Sequence, residues 1–220
     1  MNIVVIGSSE QAAECRLKFG EAHAWTVCPD TRNAGSSLGN ADVIFDFVSP
    51  DHPGRQETFS SRTGQVVFVD NSRARLSKLA GPWALNRKHV FGFCGLPTFI
   101  NREILEVSLL QESDATGLAE ACGKLGTAYE VVAEQAGMIS PRVVCMIINE
   151  AYLTLEEGTA TREDIDLAMK LGTNYPYGPF EWAERIGIQN VVRVLDAAYR
   201  DGGDERYRIC PLLSAQAAGG

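Results

Sequence analysis

Asn2-Ile3-Val4-Val5-Ile6-Gly7-Ser8-Ser9-Glu10-Gln11-Ala12 is the stretch that decides the fold. An apolar run without polar alternation fits a strand buried on both faces. The glycine that ends it and the small polar residues that follow form a tight turn into a helix over 11–19. Gly7 and Ala12 take the first and third positions of the G-x-G-x-x-G/A fingerprint, and Ser9 takes the second, where glycine normally lets a pyrophosphate approach. The amides at the start of such a helix suit a phosphate. Glu10 opposes that charge, and Ser8 with Gln11 can form a capping box that satisfies the same amides without a ligand. Both readings stay open on the loop alone. Asp30, just after the second strand, stands where an acid accepts a hydrogen bond from the adenosine ribose, which favours NAD over NADP. Gly7, Ala12 and Asp30 are thus the candidate cofactor-binding residues, and NAD the expected cofactor, bound weakly if at all.

Outward from this stretch, apolar runs at 24–28, 42–48, 65–70, 89–94 and 105–110 read as further strands, with a helix expected over 53–62. Strands alternating with helices predict a parallel sheet covered on both faces. After about residue 134 the pattern changes. Val144, Ile147, Ile148, Ala151 and Leu155 recur at helical spacing, and Gly158 stands where a left-handed helix end belongs. Thr161 to Asp164 resembles a capping box, with Gly172 closing that helix. Pro179 opens another helix that runs to Gly187, and 190–200 forms a fourth. The expected organisation is a small Rossmann-like parallel-sheet α/β domain over 1–134, of the NAD-binding type. An all-helical domain over 135–220 follows it, with a short Ala/Gly-rich tail after Ser214.

The 220 residues are 45% hydrophobic and 22% charged, with a net charge of −8, which excludes a disordered chain and disfavours nucleic acid as a partner. No apolar run reaches eighteen residues, so no membrane span is expected. The amino terminus reads as a strand and not as a signal peptide, and the expected compartment is the cytoplasm. Cys15, Cys28, Cys94, Cys122, Cys145 and Cys210 form no C-x-x-C pair, and none of the three histidines has a second His or a Cys at metal-ligand spacing. Neither disulfides nor a metal are expected.

Several segments in the second half carry a resemblance. They are Asn149-Glu150-Ala151, Glu157-Gly158, Asp164-Ile165-Asp166-Leu167-Ala168-Met169-Lys170-Leu171-Gly172, Tyr175-Pro176-Tyr177-Gly178-Pro179-Phe180-Glu181 and Pro211-Leu212-Leu213. They resemble the helical C-terminal domain of the 3-hydroxyacyl-CoA dehydrogenase family over most of 137–213. Residues 67–72 and 90–107 resemble the corresponding family segments more weakly. The resemblance implies an NAD-binding domain, a helical domain that often dimerises, and a 3-hydroxyacyl-CoA substrate in fatty-acid metabolism. It also implies hydride transfer to nicotinamide, with a His as base, a Glu orienting it, and Ser and Asn holding the substrate oxygen.

Carried onto this chain, the orienting Glu is Glu106, but Cys94 stands at the His position. Arg73 stands at the Ser position beside Asn71, and Pro141 at the Asn position. The eleven residues between Asp30 and Asp42 leave no room for the strand and the CoA-contacting hairpin that family members carry there. An ordinary thiol is a poor proton acceptor near neutral pH, and loss of a general base costs about 10²–10⁴ in rate. Cys94 reads either as a reactive thiol or as a buried small hydrophobe. Arg73 reads either as an oxyanion partner or as a solvated helix residue, and His89 as a surface residue. Cys94 and Glu106 are the candidate catalytic residues. Two functions compete: a short oxidoreductase acting on an acyl-CoA-type substrate, and a non-catalytic nucleotide-binding or subunit-interaction protein. The helix over 141–157 is apolar nearly all round, which leads to the expectation of a homodimer through the helical domain.

Overall fold

A computed structural model describes residues 1–30, 32, 34–52, 64–85 and 89–219. The helix expected over 53–62 lies outside the described residues. The chain divides into two compact units, Met1–Met138 and Ile139–Gly220.

The first unit is a Rossmann-like sheet of seven strands: β1 (Asn2–Ile6), β2 (Ala24–Cys28), β3 (Val43–Asp46), β4 (Val66–Asp70), β5 (Val90–Phe93), β6 (Ile104–Leu109) and β7 (Ala128–Val131). Their order is β2-β1-β3-β4-β5-β6-β7. The pairs from β2 through β5 are parallel, with Ile6 opposite Cys28 on one side and Asp46 on the other. β6 runs antiparallel to β5 and parallel to β7, so the sheet is mixed where a parallel one was expected. The cause is the β5–β6 link, a ten-residue loop without a helix, whereas a parallel neighbour needs a crossover of about a dozen residues or more.

Period-two alternation sorts the side chains onto two buried faces. Ile3, Val5, Phe45, Phe68, Phe91 and Phe93 pack with Ala12, Cys15 and Phe19 of α1 (Ser9–Phe19) and with Leu118 and Cys122 of α4 (Ala115–Leu125). Phe19, Phe45 and Phe68 stack through that face at centroid separations of 5.0 and 5.1 Å. Val4, Ile6, Ile44, Val67 and Val69 face the other way. They meet Leu38 of α2 (Gly35–Asn40) and Leu76, Leu79 and Ala80 of α3 (Leu76–Leu85). With both faces covered, the strands need no polar alternation.

The second unit holds α5 (Ser140–Glu156), α6 (Arg162–Thr173), α7 (Pro179–Ile186), α8 (Ile188–Gly202) and α9 (Pro211–Gly219), with no strand among its described residues. α5 buries Val144, Cys145, Ile148, Ala151 and Tyr152 and packs on α7, α8 and α9. Gly158 adopts φ +71°, the left-handed turn expected of it. At the start of α6 the Thr161 hydroxyl accepts from the Asp164 amide at 3.2 Å. The Asp164 carboxylate takes the Thr161 hydroxyl at 2.8 Å instead of its amide, so the expected box is half formed. α6 continues through Gly172 and ends at Asn174, which takes the left-handed φ of +56° because its short polar side chain tolerates it. The Ala/Gly tail is helical: Leu213 is buried and Gln216 accepts from the Tyr152 hydroxyl at 3.0 Å.

Candidate functional site

β1 sends the chain to β2 on one side and shares its other side with β3, so the carboxyl ends of β1 and β3 form the crevice where open α/β sheets bind ligands. Gly7 lies there, its amide donating to the Cys28 carbonyl at 2.9 Å. A Cβ on Gly7 would lie 2.4 Å from the movable end of the Gln11 side chain, Oε1, and 3.2 Å from Phe47, so it would crowd the turn. The capping box is complete: the Ser8 amide donates to Gln11 Oε1 at 2.8 Å and the Gln11 amide to Ser8 Oγ at 3.3 Å. Two amides that a pyrophosphate would use are thus occupied by the chain itself. The Ser8 hydroxyl beside Glu10 holds that exposed carboxyl below the usual range, so a full negative charge stands at the phosphate approach. Ala12 is buried against the sheet, where its small side chain lets helix and strand pack. Asp30 follows β2, paired with Arg32 at 3.1 Å. A dinucleotide fits this cradle when the Gln11 side chain yields the Ser8 amide, an exchange that gives up a capping interaction of about 1 kcal/mol.

A second polar constellation spans the carboxyl ends of β3, β4 and β5. Asp46, fully buried, ends β3 and accepts from the amides of Val48 and Ser49 at 3.0 and 3.1 Å and from the Ser49 hydroxyl. Burial pushes its carboxyl up to about 6 despite those donors, and Asp70 pushes the same way. Asp70, also buried, ends β4 and accepts from the amides of Ser72 and Gly95 at 3.0 Å each. A Cβ on Gly95 would lie 2.8 Å from both Asp70 and Phe47, so only glycine fits there. Arg73 is not a solvated helix residue. Its side chain is 11% exposed and gripped by Asp51 at 3.0 and 3.1 Å, with Asp70 at 3.7 Å. Asn71 donates to Ser108 on β6 at 3.1 Å.

Cys94, directly after β5, is 3% exposed. Burial pushes its thiol well above the ordinary value; Asp70 and Glu106 add to this, while the Leu96 amide and Arg102 oppose it. The two candidate catalytic residues therefore share one field, and that field keeps the thiol protonated. Arg102 completes the cluster and carried no sequence signal. Burial lowers its pKa, and Cys94 and Glu106 raise it. Its guanidinium lies 4.0 Å from the Phe99 ring centroid, with Nε donating to the Thr98 carbonyl at 3.3 Å. α1 clamps this loop. Glu14 accepts from the Thr98 amide at 3.1 Å, and Lys18 donates to the Arg102 and Glu103 carbonyls. Thr98 is held at φ +75°, a strained region for a β-branched residue. His89 is half-buried, and its carbonyl accepts from the Val67 amide of β4 at 2.8 Å. Asp46 and Asp70 each end an otherwise apolar strand, which was the available sequence signal for this constellation.

In the helical unit the quoted motifs build architecture. Asp166 accepts from the Phe180 and Glu181 amides at 2.8 and 3.2 Å, capping α7 from α6. Glu181 takes the Gly178 amide at 3.0 Å and Lys170 Nζ at 2.6 Å. A Cβ on Gly178 would lie 2.2 Å from Asp166 Cγ. Asn149 accepts from the Cys210 amide at 2.8 Å and donates to the Arg208 carbonyl at 3.0 Å, fixing the entry to α9. Pro141 is buried in the first turn of α5 and has no side-chain donor. Among the described residues no group of three His, Cys, Asp or Glu could hold a metal ion, and no helix is long and apolar enough to cross a membrane.

Residues 137–220 match the family model for the 3-hydroxyacyl-CoA dehydrogenase C-terminal domain. The 3-hydroxyadipyl-CoA dehydrogenase of Escherichia coli is 48% identical over 86 residues, 39% of this chain and 18% of that protein. A 3-hydroxybutyryl-CoA dehydrogenase of Bradyrhizobium diazoefficiens is 38% identical over 152 residues, 67% of this chain and 51% of that protein. The chain thus spans about half, or less, of the length of these two relatives. The crystal structure of M. tuberculosis FadB2 covers 100% of the chain and is itself covered to 94%, with a TM-score of 0.77 at 16% identity, a likeness of fold.

Proposed function

The chain belongs to the 3-hydroxyacyl-CoA dehydrogenase family, and from that premise we propose that it is a binding member. In this reading it takes a nicotinamide dinucleotide weakly, together with an acyl-CoA-type small molecule, and oxidises 3-hydroxyacyl-CoA far more slowly than a dehydrogenase. One observation carries this reading: the position of the base is a buried thiol, Cys94, held protonated by its surroundings. A group that stays protonated cannot accept the hydroxyl proton, and hydride transfer without that acceptance leaves a cation on the substrate. Arg73, locked between Asp51 and Asp70, supports the reading, as does Pro141, which offers no donor. Dinucleotide, when bound, would supply the hydride acceptor. Gly7 and Ser8 would hold its phosphates, and Asp30 its adenosine end.

A second reading, an active NAD-dependent oxidoreductase, is favoured by Glu106, retained in the field of Cys94 and Arg102. Calorimetry with NADH and with acetoacetyl-CoA, beside a turnover assay, separates the two. Binding without turnover supports the first reading, and turnover at dehydrogenase rates supports the second.

The helical unit is proposed to form a homodimer. Ile139 just before α5, Val143 on α5, and Leu167 and Leu171 on α6 are 53–78% exposed. The same two helices line an apolar groove of about 510 Å³ with Ile147, Ala151, Ile165, Ala168 and Met169, with Pro179 of α7 among its walls. α5 and α6 both rest on α7 with that groove between them. Light scattering across micromolar concentrations tests it: a monomer mass at every concentration overturns the dimer.

A further inference from the structure

The adenosine end of the proposed dinucleotide site differs from the arrangement that an acid alone would give. Asp30 lies two residues past the end of β2, its side chain 21% exposed. Arg32 Nη2 and Nε reach one and the same oxygen of that carboxylate, Oδ2, at 3.1 and 3.3 Å, while the Arg32 side chain is 73% exposed. A lone carboxylate here would select a ribose 2′-hydroxyl in two ways, by accepting its hydrogen bond and by repelling a 2′-phosphate. Paired with Arg32, the carboxylate loses most of that repulsion, because a phosphate arriving at the pair meets no net charge.

Resting on the reading that this fold takes a nicotinamide dinucleotide, we infer that Asp30 and Arg32 together admit a 2′-phosphate, so that the chain binds NADPH at least as tightly as NADH. The guanidinium is a planar fork suited to phosphate oxygens, with charge-assisted bonds stronger than neutral ones. Nε and Nη2 are the nitrogens on Asp30, so the exposed guanidinium can meet a phosphate through its remaining donors while it keeps the weak pair with Asp30. The pyrophosphate end gives no discrimination between the two dinucleotides, since Ser8, Gln11 and Glu10 meet the same groups in both. The difference at the 2′ position therefore falls on Asp30 and Arg32.

The test is a fluorescence or calorimetric titration of the full chain with NADH, NADPH, 5′-AMP and 2′,5′-ADP. The expected result is an NADPH Kd equal to or below that of NADH, with 2′,5′-ADP tighter than 5′-AMP. Arg32→Ala should weaken NADPH at least tenfold more than it weakens NADH, with Arg32→Lys intermediate. Circular dichroism and melting of both variants confirm that they are folded. NADH binding at least tenfold tighter than NADPH overturns the inference and leaves the dinucleotide reading standing. So does an Arg32→Ala variant that weakens both equally or neither. If neither dinucleotide binds at millimolar concentration, the inference and the dinucleotide reading fall together.

Discussion

At the junction of α6 and α7 the quoted sequence motif is intact, and its polar residues Asp166, Lys170 and Glu181 serve the fold, capping a helix or closing an ion pair around Gly178. At the carboxyl edge of the sheet, where the resemblance leads one to expect Ser and His, the side chains present are held by the fold: Arg73 pairs with Asp51 and Asp70, and Cys94 is buried. The two regions teach the same lesson from opposite sides. A residue whose loss would unfold the helix junction keeps its identity. A residue needed only for proton transfer can change, provided that the new side chain finds partners in the old space. The strongest resemblance thus lies where the residues are architectural, and it carries less about chemistry than its length suggests.

The comparison breaks most decisively at Gly178. Gly178→Val places carbon within 2.4 Å of Asp166 and displaces the α7 cap, and is expected to cost about 3 kcal/mol or more in denaturant unfolding. A loss under about 1 kcal/mol would mean that the junction is not the rigid element described.

Asp46 sharpens the other side. Its folded pKa of about 6 stands above the ordinary carboxylate value, so the stabilisation from its neutral form is complete below about pH 4 and is lost as pH rises through 6. Asp46→Asn keeps the amide bonds and removes the titration. The unfolding free energy of wild type minus that of the variant should fall by roughly 2–3 kcal/mol between pH 4 and 7. A flat difference would show that the buried carboxylate does not titrate there.

Arg73→Ala should come next. It leaves buried Asp70 without its cation and is expected to cost about 1–3 kcal/mol of stability. It should leave acyl-CoA oxidation where it was, since Arg73 is engaged by the protein. Lower turnover with unchanged stability would make Arg73 a substrate contact instead.

The smallest effect belongs to the phosphate loop. Gln11→Ala frees the Ser8 amide, and Ser9→Gly relieves the approach. Each should tighten NADH binding only about two- to fivefold, on the scale of one capping interaction. Weaker binding after either change would mean that the capping box helps to form the cradle.

The strands of the sheet were readable because both faces are buried, which writes continuous apolar runs into β1, β3, β4 and β5. β7 was not readable: its four residues lie at the sheet edge, Glu130 among them, and only half-bury Tyr129. α9 hid behind its Ala/Gly composition, because what makes it a helix is the burial of Leu213 and the bond from Tyr152 to Gln216, neither of which is local. The capping box at Ser8 and Gln11 was legible because its partners are three residues apart. The grip of Asp51 on Arg73 and the place of Arg102 beside Cys94 and Glu106 were not. Those partners come together only when separate strands end at the same edge.

The central claim is that this edge has lost proton transfer. It is tested most directly by the rate of NADH formation from (S)-3-hydroxybutyryl-CoA at saturating NAD and substrate. With a typical enzyme at about 10 per second and a lost base costing about 10²–10⁴, the expected rate is about 0.1 per second or less. Turnover above about 1 per second would contradict it, and its loss in Cys94→Ala would show the thiol to be the base.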